Sequence, residues 1–186
     1  MRIIAGSKRR LPLKTVSGRE VRPTSDRIKE TLFNMIQDEI YGRYVLDLFA
    51  GSGQIGLEAV SRGAAHAVFV DNSKKAAECI LENIRFTKSE NECRMLCMDV
   101  CSAISSLEGN CQFDLIFLDP PYGQKLERRA LECLAASSLL KEDALVIVEA
   151  ALGEDFSYLG ELGYTVLKEK KYKTNLHIFL TVGRKA

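Results

Sequence analysis

No apolar run in this chain of 186 residues is long enough to cross a bilayer; Leu115 to Leu118 and Ala144 to Val148 are among the longest. The opening Met1-Arg2-Ile3-Ile4-Ala5-Gly6 lacks the apolar stretch of a secretory signal, so a cytoplasmic protein is expected. There is no internal repeat and no low-complexity linker, and with 46% hydrophobic and 27% charged residues the chain can bury one core. One domain with a small appendage follows. The six cysteines, at 79, 93, 97, 101, 111 and 133, include no CxxC pair, and no histidine stands near Cys93, Cys97 and Cys101. No metal site is therefore expected, and their apolar or helical surroundings suit reduced, buried thiols better than disulfides. His66 and His177 are isolated and read as ordinary structural or surface residues.

Net charge is also small, at +1, but it is unevenly spread. Residues 1 to 29 hold nine basic side chains against Glu20 and Asp26, a net of +7, which leaves −6 for the remainder. A basic end on an acidic body is the footprint of a polyanion-binding arm, or else a solvated charged tail.

After this arm, Pro23-Thr24-Ser25-Asp26 supplies capping residues ahead of Ile28, Leu32, Phe33, Ile36 and Ile40, a spacing that predicts a helix from about Ser25 to Glu39. From Tyr44 short apolar runs alternate with amphipathic ones. They predict strands near 44–48, 67–70, 94–98, 113–118 and 144–149, and helices near 54–62, 73–86, 100–107 and 125–137. A short helix near 154–162 is possible on the same pattern. Strands separated by helices imply a doubly wound, mainly parallel α/β sheet covered on both faces. Tyr164 to Leu167 and Leu176 to Val182 flank Lys168 to Asn175 with no room for a crossover helix, which predicts an antiparallel hairpin and seven strands in all. The expected division is a basic extension and helix over 1–40 and the sheet domain over 41–186.

The first strand runs into Asp47-Leu48-Phe49-Ala50-Gly51-Ser52-Gly53-Gln54-Ile55-Gly56, a glycine turn between a strand end and a helix start. In an open α/β sheet ligands bind there, because glycine admits close backbone approach and the helix start offers N–H groups. Asp71, after the second strand, stands where a carboxylate can take the two hydroxyls of a ribose. These residues indicate an adenosine-bearing cofactor without choosing one; a nicotinamide dinucleotide would fit equally. Asp99 either accepts from an adenine amino group or caps the helix that begins at Val100.

Phe113 to Tyr122, FDLIFLDPPY, is an apolar strand ending in a carboxylate, two prolines and a ring. The prolines stop the sheet ladder and stiffen the turn, so the Asp119 carboxylate and the Pro120 carbonyl become fixed acceptors. Tyr122 offers a face for stacking a base. Such acceptors suit an exocyclic amine, whose lone pair is delocalised into its ring. Accepting from its two hydrogens favours the pyramidal nitrogen needed to attack a methyl group on a positive sulfur. A plain strand-ending turn is the structural alternative.

Together these segments resemble class I, Rossmann-type methyltransferases, and more narrowly the RsmD family of ribosomal RNA guanine-N2 methyltransferases. The resemblance runs over Arg2-Ile3-Ile4-Ala5-Gly6, Val21-Arg22-Pro23-Thr24-Ser25-Asp26-Arg27, Asp47 to Gly53, Gly56-Leu57-Glu58-Ala59, Ser61-Arg62-Gly63-Ala64 and Asp119-Pro120-Pro121-Tyr122; the methyltransferase motifs carry the superfamily, and the N-terminal RIIAG and RPTSD segments single out the family. The resemblance implies S-adenosylmethionine as cofactor, with S-adenosylhomocysteine as product, held by Asp47, Phe49, Gly51, Ser52, Gly53, Asp71, Asn72, Asp99 and Val100. It implies that Asp119, Pro120, Pro121 and Tyr122 receive one guanine of 16S RNA, in an assembled or assembling small subunit, and that Arg2, Arg9, Arg10, Arg22, Thr24 and Arg27 meet RNA. A monomer is expected. Many relatives end the last motif in Phe, and either ring can stack. Competing readings are an adenine-N6 methyltransferase, which shares DPPY, a nicotinamide oxidoreductase, and a non-catalytic ribosome-assembly protein.

Overall fold

A computed structural model describes residues 1–16 and 26–182 of the chain. Seven strands, β1 (Tyr44–Leu48), β2 (His66–Val70), β3 (Cys93–Leu96), β4 (Phe113–Leu118), β5 (Leu140–Ala151), β6 (Tyr164–Lys171) and β7 (Asn175–Val182), form one sheet in the order β3-β2-β1-β4-β5-β7-β6. The first five are mutually parallel, whereas β7 runs antiparallel to both β5 and β6. The helices are α1 (Asp26–Met35), α2 (Gln54–Ser61), α3 (Lys74–Phe86), α4 (Val100–Leu107) and α5 (Leu126–Ala136). Among the described residues no helix is long and apolar enough to cross a membrane.

Alternation along the strands builds two cores, one on each face. Leu46, Leu48, Val68, Val70, Ile116, Leu118, Val146 and Val148 face α4 and α5, meeting Val100, Ile104, Leu107, Leu131 and Leu134. Their neighbours Val45, Phe69, Leu115, Phe117 and Ile147 face the other way, toward α1, α2, α3 and the N-terminal segment. Strand order reverses between β1 and β4, and in such sheets the crevice at that point, beyond the strands' carboxyl ends, is where ligands sit.

Several boundaries differ from the sequence expectation; β5 runs over Leu140–Ala151 where 144–149 is expected, and β3 over Cys93–Leu96 where 94–98 is expected. The first helix ends at Met35, and a 3-10 turn over Gln37–Glu39 replaces its last turn, with Ile36 and Ile40 still buried. Ser25 lies outside the described residues. The segment near 154–162 shortens to a 3-10 turn over Ser157–Leu159. β6 continues through Lys168, Glu169, Lys170 and Lys171, which read as turn; on an edge strand these charges remain in water while the backbone pairs with β7.

The cysteines depart further from expectation. Cys101 and Cys133 form a disulfide, and of the remaining four only Cys79 is buried, with Cys97 exposed. The physical reason is topological. α4 and α5 pack side by side on one face, bringing together two residues 32 apart in sequence with Cα atoms 5.8 Å apart. His177 is buried and bonded, as described below.

Candidate active site

The N-terminal segment is built into the fold. Ile3 and Leu13 are buried in the core beneath α1 and α2, and Arg2 bridges Pro12 in a small antiparallel loop. Glu58 of α2 holds this segment from below: its two carboxylate oxygens accept from the Ile4 and Ala5 amides at 2.7 and 3.0 Å and from Arg62 Nε at 2.9 Å. Lys29 of α1 stands 3.5 Å from the same carboxylate and donates to the Arg2 carbonyl at 2.6 Å; neither Lys29 nor Glu58 reaches solvent. Gly6 lies so close to the end of α2 that a Cβ would fall 1.7 Å from the Ser61 carbonyl oxygen, so only glycine fits. Asn83 of α3 joins segment and turn, donating to the carbonyls of Lys14 and Ser52.

The segment also presents cations. Arg9, Arg10 and Arg27 are exposed, and Arg2 is exposed with a 3.5 Å ion pair to Asp26. Arg22 and Thr24 lie outside the described residues.

At the end of β1 the chain turns sharply, with Phe49 at φ +65°, a left-handed conformation that side chains seldom adopt and that marks sites held by their surroundings. The Asp71 carboxylate spans the turn, accepting from the Gly51 amide at 3.0 Å and from the Ser73 amide at 2.9 Å. Asp47 accepts from the Gly56 amide at 3.0 Å. Gly56 is required for packing: a Cβ would lie 2.3 Å from the Phe69 ring. Asp99 takes the capping role, its Oδ1 accepting from the Cys101 and Ser102 amides and from Arg129, while Val100 is buried behind it. Capping uses one oxygen and is compatible with a further acceptor role for the same carboxylate.

Register places the two halves of the site at one level. Leu48 pairs with Val70 on one side and with Leu118 on the other, and Leu118 pairs with Val148. One residue beyond this row come Asp71, Phe49, Asp119 and Glu149, abreast at the carboxyl edge of four adjacent parallel strands spaced about 4.8 Å apart. Pro120 is buried, whereas Pro121 and Tyr122 are exposed. Tyr122 Oη donates to Glu149 Oε1 at 3.0 Å.

Burial drives the Asp47 carboxyl up to about 7, aided by the charge of Asp71 and opposed by the Gly56 amide. Its folded value exceeds the unfolded one, so the folded state holds the extra proton. The stability this contributes is full below about pH 4 and is lost as pH rises toward 7. Asp47→Asn keeps the shape and the Gly56 contact without the charge. Its stability relative to the parent is expected to climb between pH 4 and 7 by up to about 4 kcal/mol and then level off. Melting curves across that range check this; parallel profiles for the two proteins would exclude it.

Acidic side chains around a left-handed turn, with a diol-sized bidentate acceptor at Asp71, fit a nucleoside ligand that carries positive charge. Among the described residues no group of three His, Cys, Asp or Glu side chains is arranged to hold a metal.

Sequence reasoning passed over Glu149, Asn175, Lys29 and Asn83, and read His177 only as a structural or surface residue. Glu149 had a readable signal: it follows the apolar run Ala144 to Val148 as Asp119 follows Leu115 to Leu118. The others depend on contacts between distant segments.

The chain is similar to known proteins over most of its length. The Ribosomal RNA small subunit methyltransferase D of Haemophilus influenzae is 35% identical over 171 residues, covering 91% of this chain and 88% of its own. Its Escherichia coli counterpart is 33% identical over 150 residues, covering 81% and 74%. The solved structure of the E. coli protein yhhF, 28% identical, covers 100% of this chain and 99% of its own with a TM-score of 0.88. A more distant solved structure, SMU.776 complexed with SAH, shares the fold at 17% identity and a TM-score of 0.67, over 83% of this chain and 49% of its own. The family described as conserved hypothetical protein 95 matches residues 1–180, and the chain belongs to that family, the RsmD family its motifs resemble.

Proposed function

We propose that this chain transfers a methyl group from S-adenosylmethionine to the exocyclic N2 amine of a guanine in the RNA of the small ribosomal subunit. The observation that carries the reading is the alignment of Asp71 and Asp119 at one level on either side of the strand-order reversal. That shared level supports reading the glycine turn as the nucleoside side of the site and the turn at Asp119 as its acceptor side. The names of the relatives, with small-subunit RNA as substrate, support it.

In this reading Asp47, Phe49, Gly51, Ser52, Gly53, Asp71, Asn72, Asp99 and Val100 would hold the cofactor, with the Asp71 carboxylate as acceptor for the ribose hydroxyls. The cofactor supplies a methyl group already activated by its positive sulfur. The chain's part is positioning and charge. The Asp119 carboxylate and the Pro120 carbonyl accept from the two hydrogens of the amine, Pro121 stiffens the turn, and Tyr122 stacks the base. Arg2, Arg9, Arg10, Arg27 and, from the stretch between, Arg22 and Thr24 meet phosphates, with residues 1–40 serving as the RNA-binding part. The protein acts as a cytoplasmic monomer on an assembled or assembling subunit. Choice of guanine over adenine rests on the family, since DPPY serves either amine.

Incubation with labelled S-adenosylmethionine and, separately, small subunits, large subunits and duplex DNA tests the substrate class. Label is expected in the RNA of small subunits lacking the modification. Label in DNA alone would overturn the reading.

A further inference from the structure

An antiparallel strand at the end of a parallel sheet begins where its neighbours finish, so β7 delivers its first residues to the carboxyl edge that carries the acceptor turn. Glu149 stands opposite His177, and Ala151 opposite Asn175. The Glu149 carboxylate, abreast of Asp119, is enclosed on three sides: Oε1 accepts from Tyr122 Oη at 3.0 Å and Asn175 Nδ2 at 2.6 Å, and Oε2 lies 3.0 Å from His177 Nε2. Burial alone would raise this carboxyl's pKa, but the bonds from His177, Tyr122 and Asn175 hold it below the usual range, so it is an anion. A carboxylate only accepts, and His177 Nε2 therefore carries the hydrogen. His177 is 1% exposed and packs in a T-shaped pair with the Tyr172 ring, centroids 5.0 Å apart.

Tyr122 is different: the residue is 48% exposed. A half-exposed ring with no tether samples several rotamers and must be ordered each time a base stacks on it. Phenylalanine would stack as well as tyrosine, so the hydroxyl has another task. We propose that Glu149, held by His177 and Asn175, is a positioning residue of the acceptor site that fixes the Tyr122 ring through its hydroxyl in the orientation in which the target base stacks beside Asp119. The C-terminal hairpin thereby supplies a wall of the site as well as closing the sheet. The proposal rests on reading residues 119–122 as the acceptor turn.

The test is methyl transfer by the full chain to small subunits, with cofactor binding and melting temperature measured in parallel. Tyr122→Phe keeps the ring and removes the tether; kcat/KM for RNA is expected to fall about tenfold, the size of one charge-assisted hydrogen bond, with cofactor affinity unchanged and the melting temperature lowered by only a few degrees. Glu149→Leu is expected to lose at least as much, and adding Tyr122→Phe to it should cost nothing further, because both act through one bond. Glu149→Gln is expected to recover most of the rate: its oxygen accepts from Tyr122 while its amide donates to the other tautomer of His177. Should Glu149→Leu fail to fold, Tyr122→Phe and Glu149→Gln still decide. A Tyr122→Phe rate within twofold of the parent, or losses that multiply in the double variant, would overturn the positioning role. Asp119→Ala separates the two levels: inactive there with Tyr122→Phe normal, only the positioning role falls; near-normal there, the acceptor-site reading falls and takes this one with it.

Discussion

Asp119→Ala is expected to lower turnover by about 10²–10³-fold, the usual cost of removing one preorganised polar group that acts on the reacting centre. The bond to the amine hydrogen strengthens only as the nitrogen becomes pyramidal and acquires positive charge, so the loss belongs in kcat, with KM for RNA much less affected. Asp119 begins the turn after β4 and is not among the buried residues of either core, so the variant should melt close to the parent. Cofactor affinity should stay within about twofold, since Asp119 stands on the acceptor side of the site. Asp119→Asn, which keeps one acceptor oxygen, should fall between the two. Steady-state kinetics, calorimetric binding of S-adenosylmethionine and melting curves would check these expectations, and near-normal kcat in Asp119→Ala would contradict the mechanism.

The second large effect concerns stability. Glu58→Ala removes the carboxylate that faces Lys29 and Arg62 and takes the Ile4 and Ala5 amides, leaving Lys29 buried with the Arg2 carbonyl. Breaking a buried pair from one side typically costs about 3–5 kcal/mol because an uncompensated charge stays behind. For a chain of this size that is a fall in Tm of roughly 10 °C. Lys29, whose pKa burial already pushes down, would then be driven toward the neutral form. Pairing Glu58→Gln with Lys29→Met should restore part of the loss, since the buried lysine charge is gone while Arg62 keeps an amide oxygen in place of its carboxylate partner. Because the carboxylate also ties down residues 4 and 5, Glu58→Ala should open the N-terminal segment to trypsin at Lys8, Arg9 and Arg10 before global unfolding. Calorimetry and limited proteolysis read the two effects separately; a Tm within a degree or two of the parent would show that the pair carries little.

The strands and helices of the sheet domain were readable because each announces itself locally. Leu115 to Leu118 is apolar on both sides because both faces of β4 are covered, and Asp47 to Gly56 carries the turn chemistry of a strand feeding a helix. Asp71 and Asp119 were readable for the same reason, as carboxylates directly after apolar strands. What escaped the reading depends on which elements become neighbours. The Cys101 to Cys133 disulfide needs α4 and α5 on one face, and Lys29 looks like any helix lysine until Glu58 is placed beneath it. His177 appeared isolated because Glu149 is 28 positions away in sequence and meets it only through the antiparallel entry of β7. The basic N-terminus was legible as charge, yet nothing in its composition showed that Ile3 and Leu13 anchor it to the core.

The central claim concerns one atom, the N2 nitrogen of guanine. Small ribosomal subunits lacking the modification, incubated with the chain and methyl-labelled S-adenosylmethionine and then digested to nucleosides, test it by mass spectrometry. The account predicts label in N2-methylguanosine; label in a methylated adenosine, with guanosine unlabelled, would contradict it.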